Sequence, residues 1–140
     1  MRFMVIMYPG ARAEAGELPT EQQLTAMGNF NEELVKAGIL LAGEGLQPSS
    51  KGVRVRWVGG KPKVHDGPFT ESKEIIGGFW MMQVKSKAEV VEWVKRVPSF
   101  FGDEMIEIRQ VFEADDFGPA LTPELRANEE RLRAEAAKQK

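Results

Sequence analysis

An α+β sandwich is the fold class this sequence predicts, and three observations point there. Apolar runs of strand length alternate with two segments of helical spacing, each opened by a capping pair. The elements fall in the order β-α-β, a hairpin, then β-α-β. The chain is 140 residues long, enough for one domain that buries a core without staples.

The elements follow in order. Residues 3–8 are apolar on both faces, which predicts a strand central in a sheet. Residues 9–19 read as a loop. Thr20 opens a helix, with Gln23 at capping-box spacing. Leu24, Met27, Leu34 and Val35 fall along one helical side, with Phe30 near it, and Gly38 is a natural stop. Residues 39–42 predict a short buried strand that ends at Gly43-Glu44-Gly45. Residues 53–58 alternate cleanly, with Arg54 and Arg56 on one face, and Gly59-Gly60 is a hairpin signal leading back through residues 61–65. After the Asp66-Gly67-Pro68-Phe69 turn and a polar stretch, residues 75–84 read as a strand entered through Gly77-Gly78.

Ser86 and Glu89 have a second capping-box spacing. Val90, Val91, Trp93, Val94 and Val97 form the apolar side of that helix, and residues 105–112 read as the last strand. Two β-α-β halves whose helices cover one sheet face make a ferredoxin-like sandwich with an inserted hairpin. Its other sheet face is expected to meet a second subunit or a ligand. Residues 113–140 form a separate helical extension, with proline at the first helical position after Thr122 and a favourable Glu129/Arg133 spacing. The domain boundaries read as 1–112 and 113–140.

Composition excludes several classes. The chain has no cysteine, so disulfides, zinc–thiolate sites and thiol nucleophiles are out. One histidine makes a histidine-based metal site within one chain untenable, and no metal or cofactor is expected. Nineteen basic against 21 acidic residues give a net charge of -2, without the basic excess that nucleic-acid binding calls for. The N-terminal apolar run is too short for a signal peptide, and no run approaches a membrane span. The expected location is the cytoplasm.

Residues 66–71, Asp-Gly-Pro-Phe-Thr-Glu, are followed by Lys73-Glu74 and Gly77-Gly78-Phe79. Upstream stands Gly43-Glu44-Gly45-Leu46-Gln47-Pro48, and downstream Glu107-Ile108-Arg109-Gln110-Val111. Together these segments resemble the DGPF-motif branch of the YCII-related family over roughly residues 1–112. The resemblance implies a ferredoxin-like fold that dimerises sheet to sheet as an α/β barrel, with a cleft between sheet and helices. It also implies cofactor-free acid–base chemistry, of isomerase or lyase type, on small acidic or lactone-like molecules through a histidine and an aspartate. The family's histidine lies in the first helix region, whereas residues 20–38 of this chain contain none. Some relatives occur alongside sigma factors, which implies a regulatory partner as the alternative.

Asp66 is the leading acid/base candidate, because a carboxylate in a cleft exchanges protons with a substrate once burial raises its pKa. The competing reading is a turn residue whose side chain bonds its own backbone. His65 is a candidate proton shuttle because imidazole is the side chain suited to that role, but strand neighbours point to opposite faces, so it cannot pair with Asp66 within one extended chain. Lys73, Glu74 and Glu71 either flank the cleft or form a solvated charge run, with Lys73 suited to an anionic substrate. Arg109 either holds an anion or pairs internally with Glu107, two residues away on the same strand face. Glu44, beside flexible glycines, is a second carboxylate candidate. Gly77 permits a bulge or the close approach of backbone or ligand. Phe79, Trp80, Met81 and Met82 are expected in the core and the dimer interface. Three functions compete, in this order: a small cofactor-free enzyme, a non-catalytic ligand-binding or regulatory homodimer, and a plain structural dimer with no ligand.

Overall fold

A computed structural model describes residues 1–71 and 74–139. The fold is mixed α+β, built on antiparallel sheets. Its contacts divide it into two compact units, Met1–Gln110 and Val111–Lys140.

The first unit runs β1 (Arg2–Tyr8), α1 (Ala11–Glu14), α2 (Glu21–Lys36), β2 (Leu40–Gly45), β3 (Val53–Val58), β4 (Lys61–Asp66), β5 (Gly78–Gln83), α3 (Lys87–Val94) and β6 (Met105–Gln110). Four strands form one sheet in the order β2-β5-β1-β6, and every neighbouring pair is antiparallel. β1 is central, as its two apolar faces predict: Phe3 and Val5 are buried on one face, and Met4 and Ile6 are half-buried on the other. β3 and β4 pair only with each other, as a hairpin turning at Gly59-Gly60. Both glycines have positive φ (58° and 79°), the backbone that a two-residue turn between twisted strands demands.

One core lies between the sheet and the helices. Phe3 and Val5 of β1 meet Phe30 and Leu34 of α2, Trp80 and Met82 of β5, and Val90 of α3. α2 is set by its capping box, in which Thr20 Oγ1 accepts from the Gln23 N–H (3.1 Å) and Gln23 Oε1 accepts from the Thr20 N–H (2.9 Å). In α3 half of that device forms: Ser86 accepts from the Glu89 N–H, while the Glu89 carboxylate reaches one residue further back, to the Lys85 N–H.

Several expectations are corrected. Residues 11–14 form one helical turn inside the expected loop. The strand expected to be buried at 39–42 is instead the sheet edge β2, with Leu41 to Gly45 exposed. Only Ile39, just before it, is fully buried. An apolar run of four cannot tell an edge strand from a central one, because that difference lies in having one neighbour rather than two. Leu24 and Val35 are exposed, and the buried stripe of α2 runs through Phe30 and Leu34. β5 and β6 are shorter than expected, at 78–83 and 105–110.

In the second unit, Thr122 caps α4 (Pro123–Ala136) by accepting from the Leu125 N–H. The helix carries the expected Glu129–Arg133 pair at 3.3 Å, and Leu125 and Leu132 are exposed. Phe112 and Phe117 stack at 4.7 Å ahead of it.

Candidate functional site

A cleft of about 510 Å³ opens on the helix side of the β2–β5 edge. That size suits a small organic molecule. Its walls are mostly apolar: Met7, Leu18, Met27, Leu46, Phe100 and Phe101 come from β1, the loop before α2, α2 itself, the segment after β2 and the loop after α3. Trp80 of β5 also lines it. That ring is 6% exposed and packs edge-on against Phe30, at 6.0 Å and 84°.

The key polar contact is between Trp80 and Asn31. Trp80 Nε1 donates to Asn31 Oδ1 at 2.8 Å, and both residues line the cleft. Two of the three glutamates bordering the cleft have their carboxylates engaged. Glu17 pairs with Arg12 at 2.7 Å. Glu104 accepts from the Ser99 hydroxyl and from the backbone N–H groups of Phe100 (2.8 Å), Phe101 (2.6 Å) and Gly102 (3.1 Å). Glu104 thereby organises the loop that presents Phe100 and Phe101, and Gln23 Nε2 ties the same loop to α2 through the Phe100 carbonyl.

Burial acts to raise the Glu104 pKa, but hydrogen bonds from Ser99 and the backbone of Phe101, Glu104 itself and Phe100 outweigh it and hold the carboxyl below its ordinary value of 4.5. The folded state therefore binds this proton less tightly than the unfolded chain does. The resulting stabilisation is complete above about pH 4.5 and is lost as pH falls through the lower folded value. Glu104→Gln is expected to lower stability at neutral pH and to flatten that part of the acid limb, as urea melts at stepped pH would register. An acid limb identical to wild type would remove Glu104 from this role.

The Asp66-Gly67-Pro68-Phe69 turn is a fastening between two backbone segments. Gly67 N–H donates to the Gly52 carbonyl (2.9 Å), and Phe69 N–H donates to the Ser49 hydroxyl (3.0 Å). Ser49 is buried, and its own N–H donates to Glu14 (2.7 Å). A Cβ on Gly67 would stand 1.8 Å from the Ser49 carbonyl oxygen, so only glycine fits. The Arg54 guanidinium lies 3.9 Å from the centre of the Phe69 ring, a cation–π contact that seats the hairpin base on the turn. The side-chain turn bond of the competing reading of Asp66 does not form among the described residues; the turn is held by the bonds of Gly67 to Gly52 and of Phe69 to Ser49.

The sequence candidates separate in space. Asp66 and His65 are exposed at the end of β4, opposite Val53 and Arg54 respectively, and neither lines the cleft. Their adjacency on an extended strand turns them to opposite faces of the hairpin. Arg109 is exposed and donates to Glu107 at 3.1 Å, the internal pair its spacing offered. Glu74 is exposed, and its carbonyl accepts from Arg54. Lys73 lies outside the described residues. Glu44 and Gly77 are the two candidates that line the cleft. Glu44 sits directly opposite Phe79, and the pleat turns both side chains to the open sheet face. Gly77 lies against Pro9, where a Cβ would meet the ring at 2.8 Å, and it links β1 to the segment after β2: its N–H donates to Met7 O, and its carbonyl accepts from the Leu46 N–H.

Asn31 is the residue that sequence reasoning missed. It sits between Met27 and Leu34 at i,i+4 and i,i+7 spacing on the core-facing side of α2. A polar residue inside an apolar helical stripe needs a partner, and that interruption was the available signal.

The fold and cleft together define a small α+β protein with a preformed, mostly apolar pocket between helices and sheet edge. The YCII-related domain family model matches residues 1–115, and the chain belongs to that family. No curated protein matches the sequence. Among the described residues, no helix is long and apolar enough to cross a membrane.

Proposed function

We propose that this protein binds a small organic molecule in the cleft beside Trp80, and does so as a homodimer. The observation that carries this reading is the cleft itself: apolar walls with few polar groups, at a size typical of small-ligand sites. Binding is favoured over turnover because the carboxylates Glu17 and Glu104 are already paired or hydrogen-bonded, and the pleat turns the Glu44 side chain with Phe79 to the open sheet face. A general base needs a carboxylate free to reach the substrate proton, and Asp66 stands outside the cleft lining. A thermal-shift panel of small ketones, lactones, carboxylates and amines tests the reading. Stabilisation by at least one class, with Asp66→Asn responding like wild type, is the expected result. Loss of all ligand response in Asp66→Asn, with folding intact, would return Asp66 to the centre of the site.

The same reading assigns the first unit to the ferredoxin-like class and pairs two copies sheet to sheet. The strand order β2-β5-β1-β6 supports the first point. The second is supported by the open face, where Met4 and Ile6 of β1 lie beside Met81 and Phe79 of β5 as one apolar block. Light scattering is expected to give twice the 15.7 kDa chain mass, and Ile6→Glu is expected to give the single-chain mass, since a lone charge buried at such an interface costs several kcal/mol, on the order of 3. A monomeric wild type would defeat the dimer.

A further inference from the structure

We propose that the cleft selects uncharged molecules carrying a carbonyl acceptor, and that the Asn31 side-chain amide recognises them. The inference rests on the ligand-binding reading above and names the chemistry of that same site.

The orientation of Asn31 is set by its partner. A side-chain amide has one accepting and one donating end, and only its partners decide which way it faces. Trp80 Nε1 is a donor with no accepting capacity. Its 2.8 Å contact therefore fixes Oδ1 toward the indole and leaves Nδ2, with its two hydrogens, as the free end. Trp80 is held in turn by the edge-on contact with Phe30 and by burial in the core, so the amide has a rigid support. No described residue accepts from Nδ2, and no buried side-chain polar atom among the described residues lacks a partner, so this donor is accessible rather than sealed in. Asn31 lines this mostly apolar cleft.

Charge narrows the class further. Among the described residues, every charged residue lining the cleft is a glutamate: Glu17, Glu44 and Glu104. Arg12 neutralises Glu17, Ser99 and three backbone N–H groups satisfy Glu104, and the pleat directs Glu44 to the opposite sheet face. A carboxylate ligand would enter apolar surroundings with no cation to meet it and would forfeit its hydration. An amine would place a third donor against the two hydrogens of Nδ2. A ketone, ester or amide oxygen meets Nδ2 as an acceptor and leaves its hydrocarbon to the Met, Leu and Phe walls.

Three probes of one shape separate these cases: benzylacetone, hydrocinnamate, and the amine in which an ammonium replaces the ketone oxygen. Binding is read by nitrogen–proton correlation NMR of the Asn31 Nδ2 and Trp80 Nε1 resonances and by titrated affinity. Benzylacetone is expected to bind wild type and to shift the Nδ2 protons downfield, with hydrocinnamate weaker by about tenfold or more. Asn31→Asp keeps an acceptor for Trp80 but removes the donors. It is expected to weaken benzylacetone about tenfold and to strengthen the amine, while neutral Asn31→Ala weakens the ketone without strengthening the amine. Cleft resonances that respond to the probes with equal affinity for all three head groups, or with unchanged ketone affinity in both variants, would overturn recognition by Asn31 and leave the ligand-binding reading standing. No response of the cleft resonances to any probe would overturn both.

Discussion

Trp80→Ala is expected to destabilise the protein by about 3–5 kcal/mol, the range for emptying a buried aromatic position. The side chain is 6% exposed, packs edge-on against Phe30, and anchors Asn31. Its removal opens a void beside the cleft, where neighbours on β1, α2 and β5 cannot all close in. A chain of this size would lose on the order of 10 °C in melting temperature. Trp80→Phe separates packing from hydrogen bonding. It keeps much of the ring but leaves Asn31 Oδ1 without its donor, and a smaller loss of about 1–2 kcal/mol is expected. Urea melts of the two variants measure both losses. A Trp80→Ala loss under 1 kcal/mol would mean that the ring is not a structural member of the core.

Gly67→Ala is expected to cost about 3 kcal/mol, at the upper end of the overpacking range. The added methyl would meet the Ser49 carbonyl oxygen at 1.8 Å, and a backbone oxygen cannot swing aside as a side-chain tip does. Relief would require breaking the Phe69–Ser49 or Gly67–Gly52 bond. The neighbouring Asp66→Asn should change stability by less than about 0.5 kcal/mol, since that carboxylate is exposed and bonds nothing among the described residues. Parallel denaturant melts of the two variants test the contrast. An equal loss in both would assign the turn's stability to the carboxylate, and no loss in Gly67→Ala would deny the close approach.

Much of the fold was legible because periodicity and capping are local. Thr20 with Gln23, Thr122 with Pro123, and Gly59-Gly60 each specify an element boundary through contacts a few residues apart. The two-faced β1 announced its central place. What local pattern could not carry is neighbour count. It promoted the edge strand β2 to the interior, and it put Leu24 and Val35 on a buried helix face.

The site was harder to read for a related reason. The densest cluster of functional residue types, around His65 and Asp66, is dense because a turn joins an exposed hairpin to the sheet, and turns collect Asp, Gly and Pro for their backbone conformations. Two of the segments singled out in the sequence, residues 43–48 and 77–80, do line the cleft, but the rest of its wall comes from residues far apart in sequence, Met7, Met27, Asn31 and Phe101 among them. Of these, Asn31 carries a local sign, as a polar interruption of an apolar stripe.

The contact between Gly67 and Ser49 has an evolutionary corollary. A signature held in place by the room available to one backbone oxygen records a shape and leaves the chemistry unconstrained. Two chains that share the Asp-Gly-Pro-Phe turn, and with it the seated hairpin, would not thereby share a chemistry. Under the ligand reading proposed above, their divergence should be sought on the inward side of the first long helix, where one amide in place of a hydrocarbon would change the ligand without disturbing the turn.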